Sequence, residues 1–195
     1  MRFSFFEQSI FVLLLAASAW GFWFRFRKVI RTIQAAKPDA DFELHPIAKR
    51  VRDFVWEVLL QAKVIRQRPL PGLAHAFVFW GFCAFSLVTL NHFATAVGFP
   101  FLSWLGGFGQ FYFSFAALFA IMVIVSISGL FVRRFVLQPK WLGPVSCESG
   151  VIAMLIFALM ITYLAGLWFG GREPGEKAMW WLHTIALLAL AHPPH

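Results

Sequence analysis

Two stretches decide the fold: PLPGLAHAFVFWGFCAFSLVTLNHF (69–93) and FGQFYFSFAALFAIMVIVSISGLFV (108–132), joined by ATAVGFPFLSWLGG (94–107). From Pro69 to Val132 there is no Asp, Glu, Lys or Arg. A membrane-spanning helix needs about 20 mostly apolar residues. This run is too long for one span, and Gly98-Phe99-Pro100 and Gly106-Gly107 interrupt it. It therefore reads as two helices, about 71–93 and 108–132, with a short uncharged loop between them. Working outward, Gln8–Phe24, Ser149–Gly171 and Ala178 to the end are also free of charge. They predict further helices at about 8–24, 149–170 and 178–192. The expected fold is all-α, an integral membrane bundle of five transmembrane helices forming a single membrane domain over 1–195.

Composition points the same way. Of 195 residues 60% are hydrophobic and 13% charged, against about 45–50% and about 25% in soluble domains. That excludes an ordinary soluble domain and a disordered chain. The formal charge of +8 does not argue for nucleic acid as a partner, because the basic residues sit between the apolar runs. The segment Arg25–Leu70 holds eleven of the seventeen Lys and Arg residues against five acids, a net of +6. The loop after the third helix, with Arg133, Arg134 and Lys140 against Glu148, is net +2. The remaining connections are neutral. Positive charge on alternate loops predicts the amino terminus outside and the carboxyl terminus in the cytoplasm. Arg25, Arg27, Lys28 and Arg31 follow the first apolar run as a stop-transfer signal rather than a cleavage site.

Within the cytoplasmic loop 25–70, Val51, Phe54, Val55, Val58, Leu59 and Val64 recur at helical spacing among basic residues. The pattern predicts an interfacial amphipathic helix over about 47–66; a docking face for a cytoplasmic partner is the alternative. Trp80, Trp104, Trp168, Trp180 and Trp181 fall near span ends, as an interfacial aromatic belt does.

Histidine is the only chemistry the spans offer. Cys83 and Cys147 are the sole cysteines, too few for a four-thiolate cluster or a four-cysteine zinc site. No carboxylate lies well inside a helix, which argues against a carboxylate proton pump or an acidic channel ring. His75 and His92 stand at the two ends of the second helix. His183 is just inside the fifth, and His192 and His195 close the chain. Imidazoles on two different apolar helices suit axial ligation of haem iron from either side. At 1.5 Å rise per residue, His192 and His195 come level with His75. The only partner for His183 is His92, several ångströms off level by the same arithmetic. The inner pairing is the better matched of the two.

Leu70-Pro71-Gly72-Leu73-Ala74-His75 with Phe79-Trp80-Gly81-Phe82, and Trp180-Trp181-Leu182-His183-Thr184, resemble motifs of the respiratory nitrate reductase gamma class of membrane cytochromes b. They are closer still to the amino-terminal membrane domain of heterodisulfide-reductase-like iron–sulfur oxidoreductases, including the electron-transfer-flavoprotein:quinone type. The resemblance implies five helices, with the second and fifth ligating haem b. It places His75 and His183 as axial ligands to the haem iron, with His92, His192 and His195 as further haem-binding candidates. It also implies quinone as exchangeable substrate, a cysteine-rich cytoplasmic iron–sulfur partner or domain, and a bacterial inner (cytoplasmic) membrane. The expected role is electron transfer between the quinone pool and that partner, as one subunit of an oxidoreductase. A haem-free membrane anchor or assembly subunit is the alternative.

Overall fold

The computed structural model describes residues 3–37, 45–170, 172 and 174–192. They fold as helices joined by short loops, and no strand occurs among them. The first helix, α1 (Phe5–Ala35), opens on a reciprocal cap: Ser4 accepts from the Glu7 amide, and the Glu7 carboxylate accepts from the Ser4 amide. Nothing in the basic run after Phe24 breaks a helix, so α1 continues well beyond the expected 8–24 span. Its 31 residues reach about 46 Å, longer than a hydrocarbon core of about 30 Å.

The segment expected as one amphipathic helix is divided. A short α2 (Ile47–Asp53) widens into a π-turn at Phe54–Leu59, and the chain reverses at Gln61, which has φ 55°. Then α3 (Ala62–Gln67) leads into α4 (Pro69–Ala96). Val51, Phe54, Val55, Val58 and Leu59 are all exposed. The Trp80 indole donates to the Leu59 carbonyl at 2.8 Å, so this belt candidate ties the segment to α4.

Pro69 and Pro71 sit in the first turn of α4, where their missing N–H groups cost nothing. After Gly98, which turns the chain at φ 85°, α5 (Gly107–Phe131) begins, and it runs on through a π-turn at Val132–Leu137. Then come α6 (Cys147–Trp168), capped by Ser146, and α7 (Gly175–Leu190). Four helices are long and apolar enough to cross a membrane: α1, α4, α5 with its π-turn, and α6. The chain is a membrane protein. The expected fifth span, α7, has 16 residues and reaches only about 24 Å.

Successive helices from α4 to α7 pack side by side. Lipid supplies no hydrophobic drive between helices, so association rests on close packing and interhelical hydrogen bonds. Small residues permit the approach: Ala76 and Ala84 on α4, Ala116 and Ala120 on α5, and Ala153 on α6 are buried. Two tyrosines fasten the layers. The Tyr112 hydroxyl donates to Ala84 O at 2.8 Å, and the Tyr163 hydroxyl to Phe113 O at 2.9 Å. Helix α1 stands against α7 through three contacts spread along its length. Lys177 donates to both Glu7 oxygens at 3.1 Å, Phe11 packs on Trp180, and Ser18 meets His192.

Candidate functional site

The ends of α4 and α7 are staggered, and this brings two histidines together. His92 lies four residues before the end of α4, and His183 lies eight residues after the start of α7. Each of these helices is three residues longer at that end than expected. Their rings are 5.1 Å apart, centroid to centroid, and inclined by 57°. His92, the only partner depth arithmetic left for His183 and several ångströms off level by that arithmetic, is thus in contact with it. His75, by contrast, is exposed on α4. His192 is turned to α1, with its Nε2 3.0 Å from both the hydroxyl and the carbonyl of Ser18. His195 lies outside the described residues. Among the described residues, His75 therefore has no imidazole partner.

A threonine holds each ring of the pair. Thr184 Oγ1 donates to Trp180 O at 3.0 Å, which leaves it to accept from His92 Nε2–H at 2.7 Å. Thr162 Oγ1 donates to Ala158 O and Leu159 O, and so accepts from His183 Nδ1–H at 2.9 Å. A hydroxyl has one proton to give, so the network fixes both tautomers. His92 Nδ1 and His183 Nε2 keep their lone pairs.

Trp180 stacks on His92 at 4.3 Å and 11°, with Phe3 and Phe11 on its other contacts. Its Nε1–H is buried and has no hydrogen-bond partner among the described residues. An orphaned donor of that kind costs about 1–3 kcal/mol. Trp180, His92, His183 and Thr162 all line one cavity of about 390 Å³ at this end of the bundle. Asn91 lines it as well, and its side-chain oxygen accepts from the Phe101 and Leu102 amides at 2.9 and 2.7 Å, pinning the α4–α5 loop. A smaller apolar pocket of about 60 Å³, lined by Gly81, Phe82, Val123 and Leu187, reaches the other flank of His183. Trp180 and Thr184 stood in the 180–184 motif without a role of their own, Trp180 also having the look of a belt aromatic, and Thr162 and Asn91 carried no motif. Only the adjacency of Thr184 to His183 was visible in advance.

The chemistry of this donor set fits a haem. It offers two imidazoles on separate helices, each oriented by a hydroxyl and each with one bare nitrogen, beside an unpaired donor. No group of three or more His, Cys, Asp or Glu residues able to hold a metal ion occurs among the described residues. Ring contact at 5.1 Å also means that the two imidazoles must part to admit a macrocycle between them.

The paired imidazoles thus lie among helices of a membrane protein. No family model matches the chain, and no solved structure matches it. Among curated proteins it is similar to an EtfAB:quinone oxidoreductase of Syntrophomonas wolfei subsp. wolfei, at 30% identity over 174 residues. The match covers 83% of this chain and 22% of that protein, so the chain spans about a fifth of its relative's length. This similarity links the chain to electron-transfer quinone oxidoreductases.

Proposed function

We propose that the chain is a membrane haem b subunit that passes electrons between the quinone pool and a cytoplasmic iron–sulfur partner in a bacterial inner membrane. In this reading α7 is the fifth span, the amino terminus is outside, and the His92–His183 end faces outward. The observation that carries it is the threonine-held imidazole pair beside the unpaired Trp180 N–H, at one cavity. His92 and His183 would hold the haem. When bound, the haem supplies one-electron redox chemistry between a two-electron quinol and a one-electron acceptor.

The chain's own residues prepare the site. Thr162 and Thr184 fix which nitrogen of each ring is free, Trp180 offers a donor to an acceptor group, and the Asn91-pinned loop limits water. Exposed His75, near the opposite end, is the second candidate ligand in this reading, with a partner outside the described residues. Contact between the two rings favours a second reading, a haem-free anchor that holds a soluble redox enzyme at the membrane. The test is the pyridine haemochrome of protein expressed with ample haem. Haem at one or two per chain, reduced by half or more in His183→Ala, supports the first reading. Haem-free protein of native helicity establishes the second.

A further inference from the structure

At the opposite end of the bundle, two cations converge on one indole with no counter-charge among the described residues. The Arg68 guanidinium lies 4.2 Å from the Trp141 ring centroid, and that of Arg133 lies 4.8 Å from it. Arg68 stands at the junction of α3 and α4, Arg133 in the π-turn after α5, and Trp141 in the loop before α6. Among the described residues neither guanidinium is ion-paired or hydrogen-bonded, and the indole is the group each of them faces. Two like charges held within about 9 Å of one another repel. The fold nevertheless maintains them, and it spends a third arginine on doing so. Arg134 donates to Leu142 O at 2.6 Å and to Pro144 O at 2.5 Å, which orders the loop that carries Trp141. Lys140 adds charge beside it.

Immediately before Arg133, Phe131 and Val132 line a groove of about 440 Å³ between α5 and α6. Its other walls include Ile127, Ala153, Met154 and Phe157. This groove is apolar apart from Ser128, and two of its wall residues directly precede Arg133 in the chain. An acyl chain below and a phosphate above match that order of surfaces. Arginine suits phosphate because its planar fork donates two hydrogen bonds at once, and basic pockets at helix ends bind acidic headgroups.

We propose that Arg68, Arg133 and Trp141 form a site for the phosphate of an anionic phospholipid whose acyl chain lies in the α5–α6 groove. The two guanidinium groups share the phosphate oxygens. The half-exposed indole sits at headgroup depth, where tryptophan is favoured. The proposal is independent of the haem reading, since no histidine takes part.

The experiment uses the full chain in neutral detergent, titrated with phosphatidylglycerol, phosphatidylcholine or inorganic phosphate, with binding read by native mass spectrometry. Phosphatidylglycerol is expected to bind in preference to phosphatidylcholine. An Arg68→Gln/Arg133→Gln double variant is expected to weaken that binding by about fivefold per arginine. Arg25→Gln/Lys28→Gln, which removes equal charge from α1, is expected to leave it unchanged. Equal losses in the two double variants would overturn the site in favour of diffuse attraction. Displacement of the lipid by inorganic phosphate at matched concentration would overturn the lipid as occupant. Should the arginine variant not fold, the wild-type titration decides alone: no preference for phosphatidylglycerol overturns the proposal.

Discussion

Gly81 is the position where one methyl group has the largest foreseeable effect. It is buried on α4, and a Cβ built there lands well inside contact distance of Val123 Cγ2 on α5. Valine on a helix holds essentially one χ1 rotamer, so the methyl cannot swing aside. Both backbones are held nearby by the Tyr112–Ala84 hydrogen bond. In Gly81→Ala, then, α4 and α5 have to separate locally. Overpacking of this kind costs about 1–3 kcal/mol, against which alanine regains roughly 1 kcal/mol of helix propensity. The net expectation is a loss of about 0–2 kcal/mol. The clash involves a single atom, so Val123→Ala removes it. In a double-mutant cycle the pair should therefore couple favourably by about 1 kcal/mol or more. The assay is reversible unfolding in mixed micelles followed by helical circular dichroism. Gly81 and Val123 also line the pocket beside His183, so the single variant should bind haem more weakly and the double variant should recover. A gain of stability in Gly81→Ala, or additive effects in the double variant, would refute the close approach of α4 and α5.

Other residues give separate tests. Asn91→Ala removes the acceptor of two loop amides and should cost about 1–3 kcal/mol, with faster hydrogen exchange at the Leu102 amide as the direct readout. Lys177→Glu should lower the melting temperature by breaking the bond to Glu7, the Glu7→Lys/Lys177→Glu swap should restore it only in part because Lys at position 7 loses the cap on the Ser4 amide, and added salt should shrink the difference. A reporter inserted at 143–145 should be active in the cytoplasm and one at 170–172 should report outside, as alternate-loop charge requires; the reverse pattern would invert the bundle.

Apolar periodicity made the helices legible because the bilayer demands length and internal hydrogen bonding, and both are written in uncharged runs. Boundaries were less so. Charge ended the expected first helix at residue 24, but charge does not break a helix, and α1 runs to Ala35. The amphipathic segment kept its exposed apolar residues yet broke at Gln61, whose left-handed conformation no glycine announced. The meeting of His92 and His183 was legible only in part: His92 was the one partner left for His183, but the two were expected several ångströms off level. Depth arithmetic treats helices as level rods, and a stagger between the ends of α4 and α7 moved His92 onto His183. The threonines that hold the rings and the unpaired Trp180 N–H follow from tertiary contacts alone, so no spacing rule could have picked them out.

The central claim is that quinol and a haem held by His92 and His183 exchange electrons within this chain. The direct measurement is the visible spectrum of the purified, air-oxidised protein before and after anaerobic addition of a short-chain quinol, with His183→Ala alongside. The account predicts sharp alpha and Soret bands of low-spin haem b appearing on quinol addition in the wild type, and much weaker bands in the variant. No quinol-dependent change in haem-loaded wild type, or an undiminished change in His183→Ala, would contradict it.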